Sequence, residues 1–90
     1  EFYALEVEGR SMIEEGIWPG DYIVVKKQQQ AEDGSTVIAL LDKEATVKKI
    51  YHRDGQVELR PANAQMASLW VAEGQCRIQG VVVGLYRRYR

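Results

Sequence analysis

A mostly β domain of about seven short strands with one helical turn is what this sequence predicts. Three observations carry it. Tyr3, Leu5 and Val7 alternate with Ala4, Glu6 and Glu8, the period-2 pattern of a half-buried strand. Asp54-Gly55 is a strong two-residue hairpin signal between apolar-containing runs. Turn formers, among them Gly9 and Pro19-Gly20-Asp21, cut the remaining chain into pieces too short for long helices.

Taken in order, the first strand ends at Gly9, and Ser11-Met12-Ile13-Glu14 matches the S-x-x-E capping box. Gly16 is a natural C-terminal stop, so a single helical turn is expected between them. A turn at Pro19-Gly20-Asp21 leads into a second strand from Tyr22 to Lys26, followed by a polar loop from Gln28 to Gly34. The unbroken apolar run within Thr36 to Leu41 reads as a buried strand. After the short connection Asp42-Lys43, a strand from Glu44 to Arg53 turns through Asp54-Gly55 into a strand from Gln56 to Arg60. Pro61 to Ser68 is expected as loop. Leu69 to Val71 and Ile78 to Tyr86 supply the last strands, with Gly80 and Gly84 marking bulges or bends.

Ninety residues with 46% hydrophobic content suit one compact domain spanning residues 1–90, able to bury roughly 60% of its unfolded surface. The chain opens at Glu1-Phe2-Tyr3 without an initiator methionine and enters a strand at once, so a partner domain is expected upstream. A net charge of -1, from 12 basic and 13 acidic residues, points to neither nucleic acid nor an anionic membrane. The basic stretch Arg87-Arg88-Tyr89-Arg90 is the local exception and reads as a solvated terminus. No apolar run approaches the ~20 residues needed to cross a bilayer, and no signal-peptide core is present. Cys76 is the single cysteine, which excludes an internal disulfide and fits a reducing compartment, with the cytoplasm as the expected location. One histidine, one cysteine and scattered carboxylates lack metal-ligand spacing, and no glycine-rich phosphate loop occurs, so neither metal nor cofactor is expected. Trp18, Trp70 and the five tyrosines are expected as core and interface residues rather than base-stacking platforms.

The hairpin also predicts side-chain direction, because a two-residue loop sets the register of its strands. Arg53 should pair with Gln56, which puts His52 with Val57, Ile50 with Leu59, and Lys48 near Pro61 on one face. Tyr51 with Glu58 and Lys49 with Arg60 then share the other. Lys48 thus falls on the apolar side and Lys49 on the charged side. Burial disfavours a lysine cation and lowers its pKa. Bringing it from about 10.4 to near 7 takes roughly 4 to 5 kcal/mol of differential stabilisation. Two readings stay open on these residues alone: Lys48 snorkels with its ammonium in water, or it is held as a free amine. Ser11 has two readings as well. Its oxygen can cap the helical turn, and the same position sets a hydroxyl beside unpaired backbone N–H groups able to form an oxyanion hole. A neutral lysine beside a serine hydroxyl makes a nucleophile without histidine. His52 lies four residues from Lys48, about 13 Å along a strand, too far to share one site.

Five segments together carry a family resemblance: Val7-Glu8-Gly9-Arg10-Ser11-Met12, Gly16-Ile17-Trp18-Pro19-Gly20-Asp21, Glu44-Ala45-Thr46-Val47-Lys48-Lys49, Leu59-Arg60-Pro61-Ala62-Asn63 and Gly80-Val81-Val82-Val83-Gly84. In this order the chain resembles, over essentially its whole length, the C-terminal self-cleavage domain of LexA-type SOS repressors, within the wider group that includes UmuD and certain phage repressors.

The resemblance implies a β-clip fold with a Ser-Lys dyad that cuts a peptide bond in its own polypeptide. Ser11 matches the nucleophile, Lys48 the general base, and the backbone N–H groups of Arg10 and Ser11 the oxyanion hole. It further implies a homodimer, stimulation of cleavage by RecA filaments, and operator binding only through an N-terminal helix-turn-helix domain that this stretch does not include. The apolar, β-rich run from Ile78 to Tyr86 is the segment expected to pair with its copy across a two-fold axis. Arg10 departs from the family in standing where an acidic or apolar residue is common, as does Ala64 where proline often follows Asn63. No Ala-Gly or Cys-Gly dipeptide, the bond type the family cuts, occurs in the sequence. The scissile segment is therefore expected upstream of Glu1 or on another chain. A UmuD-like subunit of a translesion polymerase and a non-catalytic β dimerisation module are the alternatives.

Overall fold

The computed structural model describes residues 1–89; Arg90, the last residue of the basic stretch singled out above, lies outside them. Seven strands run in the order β1 (Phe2–Glu6), β2 (Tyr22–Lys27), β3 (Thr36–Leu41), β4 (Glu44–Arg53), β5 (Gln56–Arg60), β6 (Leu69–Ala72) and β7 (Arg77–Tyr86). Single 3-10 turns at Ile13–Glu15 and Glu73–Gln75 interrupt them. The strands form one antiparallel sheet in the order β1-β2-β7-β3-β4-β5-β6. The mostly β expectation holds.

β3 explains how a small sheet buries two cores. Its run Val37-Ile38-Ala39 is inaccessible on both faces. Val37 and Ala39 pack with Ile50, Val57 and Leu59, while Ile38 points the other way into a cluster with Val7, Met12, Ile17, Ile23 and Val25. A strand covered on both sides reads as a continuous apolar run, the pattern its sequence shows.

The β4–β5 ladder pairs Arg53 with Gln56, His52 with Val57, Tyr51 with Glu58, Ile50 with Leu59 and Lys49 with Arg60, as the hairpin register requires. Asp54 and Gly55 both take positive φ, at 46° and 81°, as a type I′ turn demands. Pro61 has no N–H to extend the ladder, so β5 stops there. The edge of β4 from Glu44 to Lys48 is consequently paired only with β3, and its opposite side is free to receive another segment.

Register shifts in β7 adjoin both of its glycines. Gly80 and Ile78 pair with consecutive residues of β3, and Gly84 and Val82 with consecutive residues of β2. Gly80 is needed for packing: a Cβ there would lie 2.5 Å from Val25 Cγ1 and 2.6 Å from the Lys26 carbonyl oxygen.

Four expectations need correction. The capping box does not form: the 3-10 turn begins after Met12 with no side-chain cap, and Glu14 instead accepts the Ala64 N–H at 2.7 Å. The tryptophans are not core residues. Trp18 is 41% exposed beneath the Arg10 guanidinium, 5.1 Å from its ring centre, and Trp70 is 49% exposed on edge strand β6. The basic stretch is also not simply solvated, since Arg87 donates to the buried Asp21 carboxylate at 2.6 Å and to the Gly16 carbonyl at 2.9 Å. The charged face of the hairpin is itself partly buried. Glu58 is 6% exposed, held by Arg60 and by the Ser68 hydroxyl at 2.6 Å, and Arg60 lies over the Tyr51 ring.

Candidate active site

The segment that fills the free edge of β4 is the one that follows β1. Gly9 turns the chain with φ of 79°, and Ser11 comes to rest beside β4, its hydroxyl 3.4 Å from the Val47 carbonyl oxygen. Met12, buried below it, ties this segment into the core that contains Ile38. The first 3-10 turn is tied in addition to the loop after β5, since the Glu14 N–H donates to the Ala62 carbonyl at 2.8 Å.

Lys48 reaches Ser11 from the strand itself. It stands opposite the fully buried Val37 of β3 and two residues from Ile50, on the face of β4 the hairpin register assigns it. Its Nζ lies 3.1 Å from Ser11 Oγ and 2.6 Å from Thr46 Oγ1. Thr46 and Lys48 share a face because side chains alternate along a strand. Desolvation of the half-buried amine lowers the Lys48 pKa below its ordinary value of 10.5. Lys49, on the other face, is partly exposed and lies 3.3 Å from the Glu15 carboxylate.

A cleft of about 480 Å³ opens over this contact, lined by Gly9, Arg10, Ser11, Thr46, Lys48 and Met66 among others. Its floor is apolar, including Ile23 and Ile38. The structure thus brings Ser11, Lys48 and the backbone of Arg10 to one cleft. A hydroxyl in contact with a desolvated amine is a pairing able to serve acyl transfer. Among the described residues no cluster of three or more His, Cys, Asp or Glu side chains forms a metal site.

His52 lies elsewhere, near the hairpin tip. It is exposed, with Nδ1 2.6 Å from Asp33 Oδ1, a contact that lowers the Asp33 pKa. Two residues that contact the site escaped the sequence reading. Thr46 was legible in principle, since a polar residue two positions before Lys48 must share its face. Asn63 donates through Nδ2 to the Arg10 carbonyl at 2.8 Å, from 53 residues away in sequence, and no local pattern announces such a contact.

Similarity to known proteins extends along nearly the whole chain. The family model described as Peptidase S24-like matches residues 1–83. A LexA repressor of Syntrophotalea carbinolica is 53% identical over 91 aligned residues, covering 100% of this chain and 45% of the relative. The LexA repressor of Syntrophobacter fumaroxidans is 51% identical across 98% of the chain and 43% of its own length. That of Thermotoga petrophila is 44% identical across 98% and 45%. The chain therefore spans less than half the length of these relatives. Because the model match runs through every strand up to the middle of β7 and takes in both Ser11 and Lys48, the chain belongs to the Peptidase S24-like family.

Proposed function

We propose that this chain is the self-cleaving serine endopeptidase domain of a LexA-type SOS-response repressor, with Ser11 as nucleophile and Lys48 as general base. The observation that carries the proposal is the 3.1 Å contact between Lys48 Nζ and Ser11 Oγ in a cleft that desolvates the amine. Similarity to proteins named LexA repressor supports the biological role.

The contact suits both protonation states of the amine. As an ammonium, Lys48 donates to Ser11 and Thr46, and the Ser11 hydroxyl is left the long 3.4 Å contact to the Val47 carbonyl. A bond of that length is weak, so the hydroxyl gives it up at little cost. As a free amine, Lys48 keeps one N–H for Thr46 and turns its lone pair to the Ser11 O–H. Oγ then attacks the scissile carbonyl carbon while its proton passes to Nζ. The displaced carbonyl electron pair settles on oxygen, facing the N–H groups of Arg10 and Ser11. Collapse breaks the C–N bond, the ammonium protonates the leaving amine, and water, activated by the regenerated Lys48, hydrolyses the acyl-serine.

The scissile segment and a DNA-binding domain belong, in this proposal, to the rest of the polypeptide, and RecA filaments promote the reaction in the cytoplasm. No helix of the described residues is long and apolar enough to cross a membrane. A homodimer is proposed through the C-terminal half of β7. Val82, Gly84, Leu85 and Tyr86 pair with β2 but not with β3, and Val83, Leu85 and Tyr86 are exposed.

Incubating the complete polypeptide at alkaline pH tests the proposal. Two discrete fragments should appear, and Ser11→Ala should prevent them. Persistent cutting by that variant would remove the nucleophile assignment.

A further inference from the structure

We infer that Asn63 is a positioning residue that aims the Ser11 N–H at the developing oxyanion, an inference that rests on the Ser11–Lys48 reading above. The Arg10 carbonyl and the Ser11 N–H belong to one peptide unit. That unit is planar and trans, so its C=O and N–H point in opposite directions. Whatever holds the carbonyl therefore aims the N–H. Asn63 Nδ2 holds it, donating to the Arg10 oxygen at 2.8 Å. The Ser11 N–H is consequently turned away from the 62–65 loop, and no backbone acceptor among the described residues takes it.

Asn63 is itself held in place. Its Oδ1 accepts the Gln65 N–H at 2.9 Å, which leaves only Nδ2 to face a carbonyl and settles the orientation of the amide. Around it, the Ala64 N–H donates to Glu14 Oε2 and the Glu14 N–H to the Ala62 carbonyl. The loop after Pro61 is thus strapped to the turn that follows the nucleophile. This support falls where the chain needs it. Residues 9–12 belong to no strand or helix, Arg10 is exposed, and Gly9 just before it takes a φ of 79° that glycine adopts without strain. A donor stabilises an oxyanion only if it is already aimed when charge develops. Asn63 supplies that aim without touching the substrate.

The test is the pH–rate profile of self-cleavage in the complete polypeptide carrying Asn63→Asp, which keeps the acceptor for Gln65 and loses the donor to Arg10. The plateau rate should fall about 10- to 100-fold, below the ~10²–10³-fold loss on deleting an oxyanion-hole donor outright. The midpoint should move little, and only upward, because Lys48 itself is untouched and the added carboxylate favours its ammonium. Labelling of Ser11 by a fluorophosphonate, which also builds charge on an oxygen in that hole, should slow in parallel. Asn63→Ser, whose hydroxyl can cap Gln65 but is too short to reach Arg10, serves if the aspartate variant does not fold. A folded variant cutting at the native rate overturns the inference, and so does a rate loss that appears only as a shifted midpoint. Ser11→Ala and Lys48→Ala run alongside. If they too cut, the dyad reading falls first; if they are silent while Asn63→Asp is fully active, only the positioning role is lost.

Discussion

Thr46 Oγ1 lies closer to Lys48 Nζ than Ser11 Oγ does, 2.6 Å against 3.1 Å, and both side chains leave the same face of β4. The threonine therefore holds the amine in place whichever proton state it adopts. Its oxygen favours the ammonium over the amine, since a hydrogen bond to a charged donor is the stronger one. Thr46→Val should have two effects on self-cleavage of the complete polypeptide. The plateau should drop roughly 10-fold through lost orientation, and the midpoint of the pH–rate profile should move to lower pH. An alkaline shift would mean that Thr46 acts otherwise.

Adjacent lysines on one strand make a clean contrast. Lys48→Ala removes the base and should reduce cleavage by about 10⁴-fold or more. Lys49→Ala removes an ion pair with Glu15, worth about 0–1 kcal/mol at a partly exposed site. Its cleavage rate should stay within about 2-fold of the parent, and single-turnover kinetics of both variants decide the matter. The reverse outcome would place the wrong lysine in the cleft.

Burial of Lys48 also makes the base a burden on folding. Its pKa is lower in the folded chain than the 10.5 of the unfolded one, so between those two values the unfolded state binds more protons. The penalty is complete below the folded-state pKa, shrinks as pH rises through it, and is gone above the unfolded value. Lys48→Met should accordingly stabilise the domain at neutral pH, with the gain fading toward pH 10.5. Urea denaturation at several pH values reads this directly. A gain that grew with pH would contradict the sign.

Much of this site could be read before the structure, for a reason that lies in Asp54-Gly55. A two-residue turn leaves one register, and that register puts Lys48 with Ile50 and Lys49 with Arg60 without reference to anything distant. Ser11 was harder. The S-x-x-E spacing favours a cap locally, but the Glu14 carboxylate is drawn to Ala64 and the hydroxyl to β4, contacts across 50 and 36 residues. The same limit hid Asn63, and it misplaced Trp18 and Trp70, whose size suggests burial in a sheet whose two cores are filled by smaller aliphatics. Period and turn chemistry reveal faces; long-range polar contacts appear only with the fold.

Asp21 and Arg87 fasten the end of β7 to the turn that precedes β2. The carboxylate is 2% exposed, receives both Nε and Nη2 of Arg87 at 2.6 Å, and also accepts the Trp18 N–H. The guanidinium above all, with the Trp18 N–H, lowers the Asp21 pKa to about 2. Because the folded value lies below the unfolded 3.8, this contribution is present above the unfolded value and is lost as pH falls through about 2. Arg87→Leu should lower the urea midpoint at pH 7 and lose less at pH 2. Arg87→Lys should recover only part of the loss, since an ammonium cannot grip both oxygens as the planar fork does. Equal losses at both pH values would show that Arg87 acts through packing alone.

Gly80 is the position where the sheet has least room. A methyl group added there meets a backbone carbonyl at 2.6 Å as well as the Val25 side chain at 2.5 Å. The side chain can rotate, but the Lys26 oxygen belongs to β2 and moves only with the strand. Overpacking of this kind costs about 1–3 kcal/mol, and the upper part of that range applies where backbone must shift. For a domain of this size each kcal/mol is worth roughly 4–8 °C. Gly80→Ala should therefore lower the melting temperature by on the order of 10 °C or more, while Gly84→Ala, whose nearest neighbour would be 3.6 Å away, should change it far less. Thermal melts of the two variants separate close approach from mere loss of glycine: a similar drop in both would mean that backbone freedom, not the space beside Val25 and Lys26, is what β7 needs at these positions.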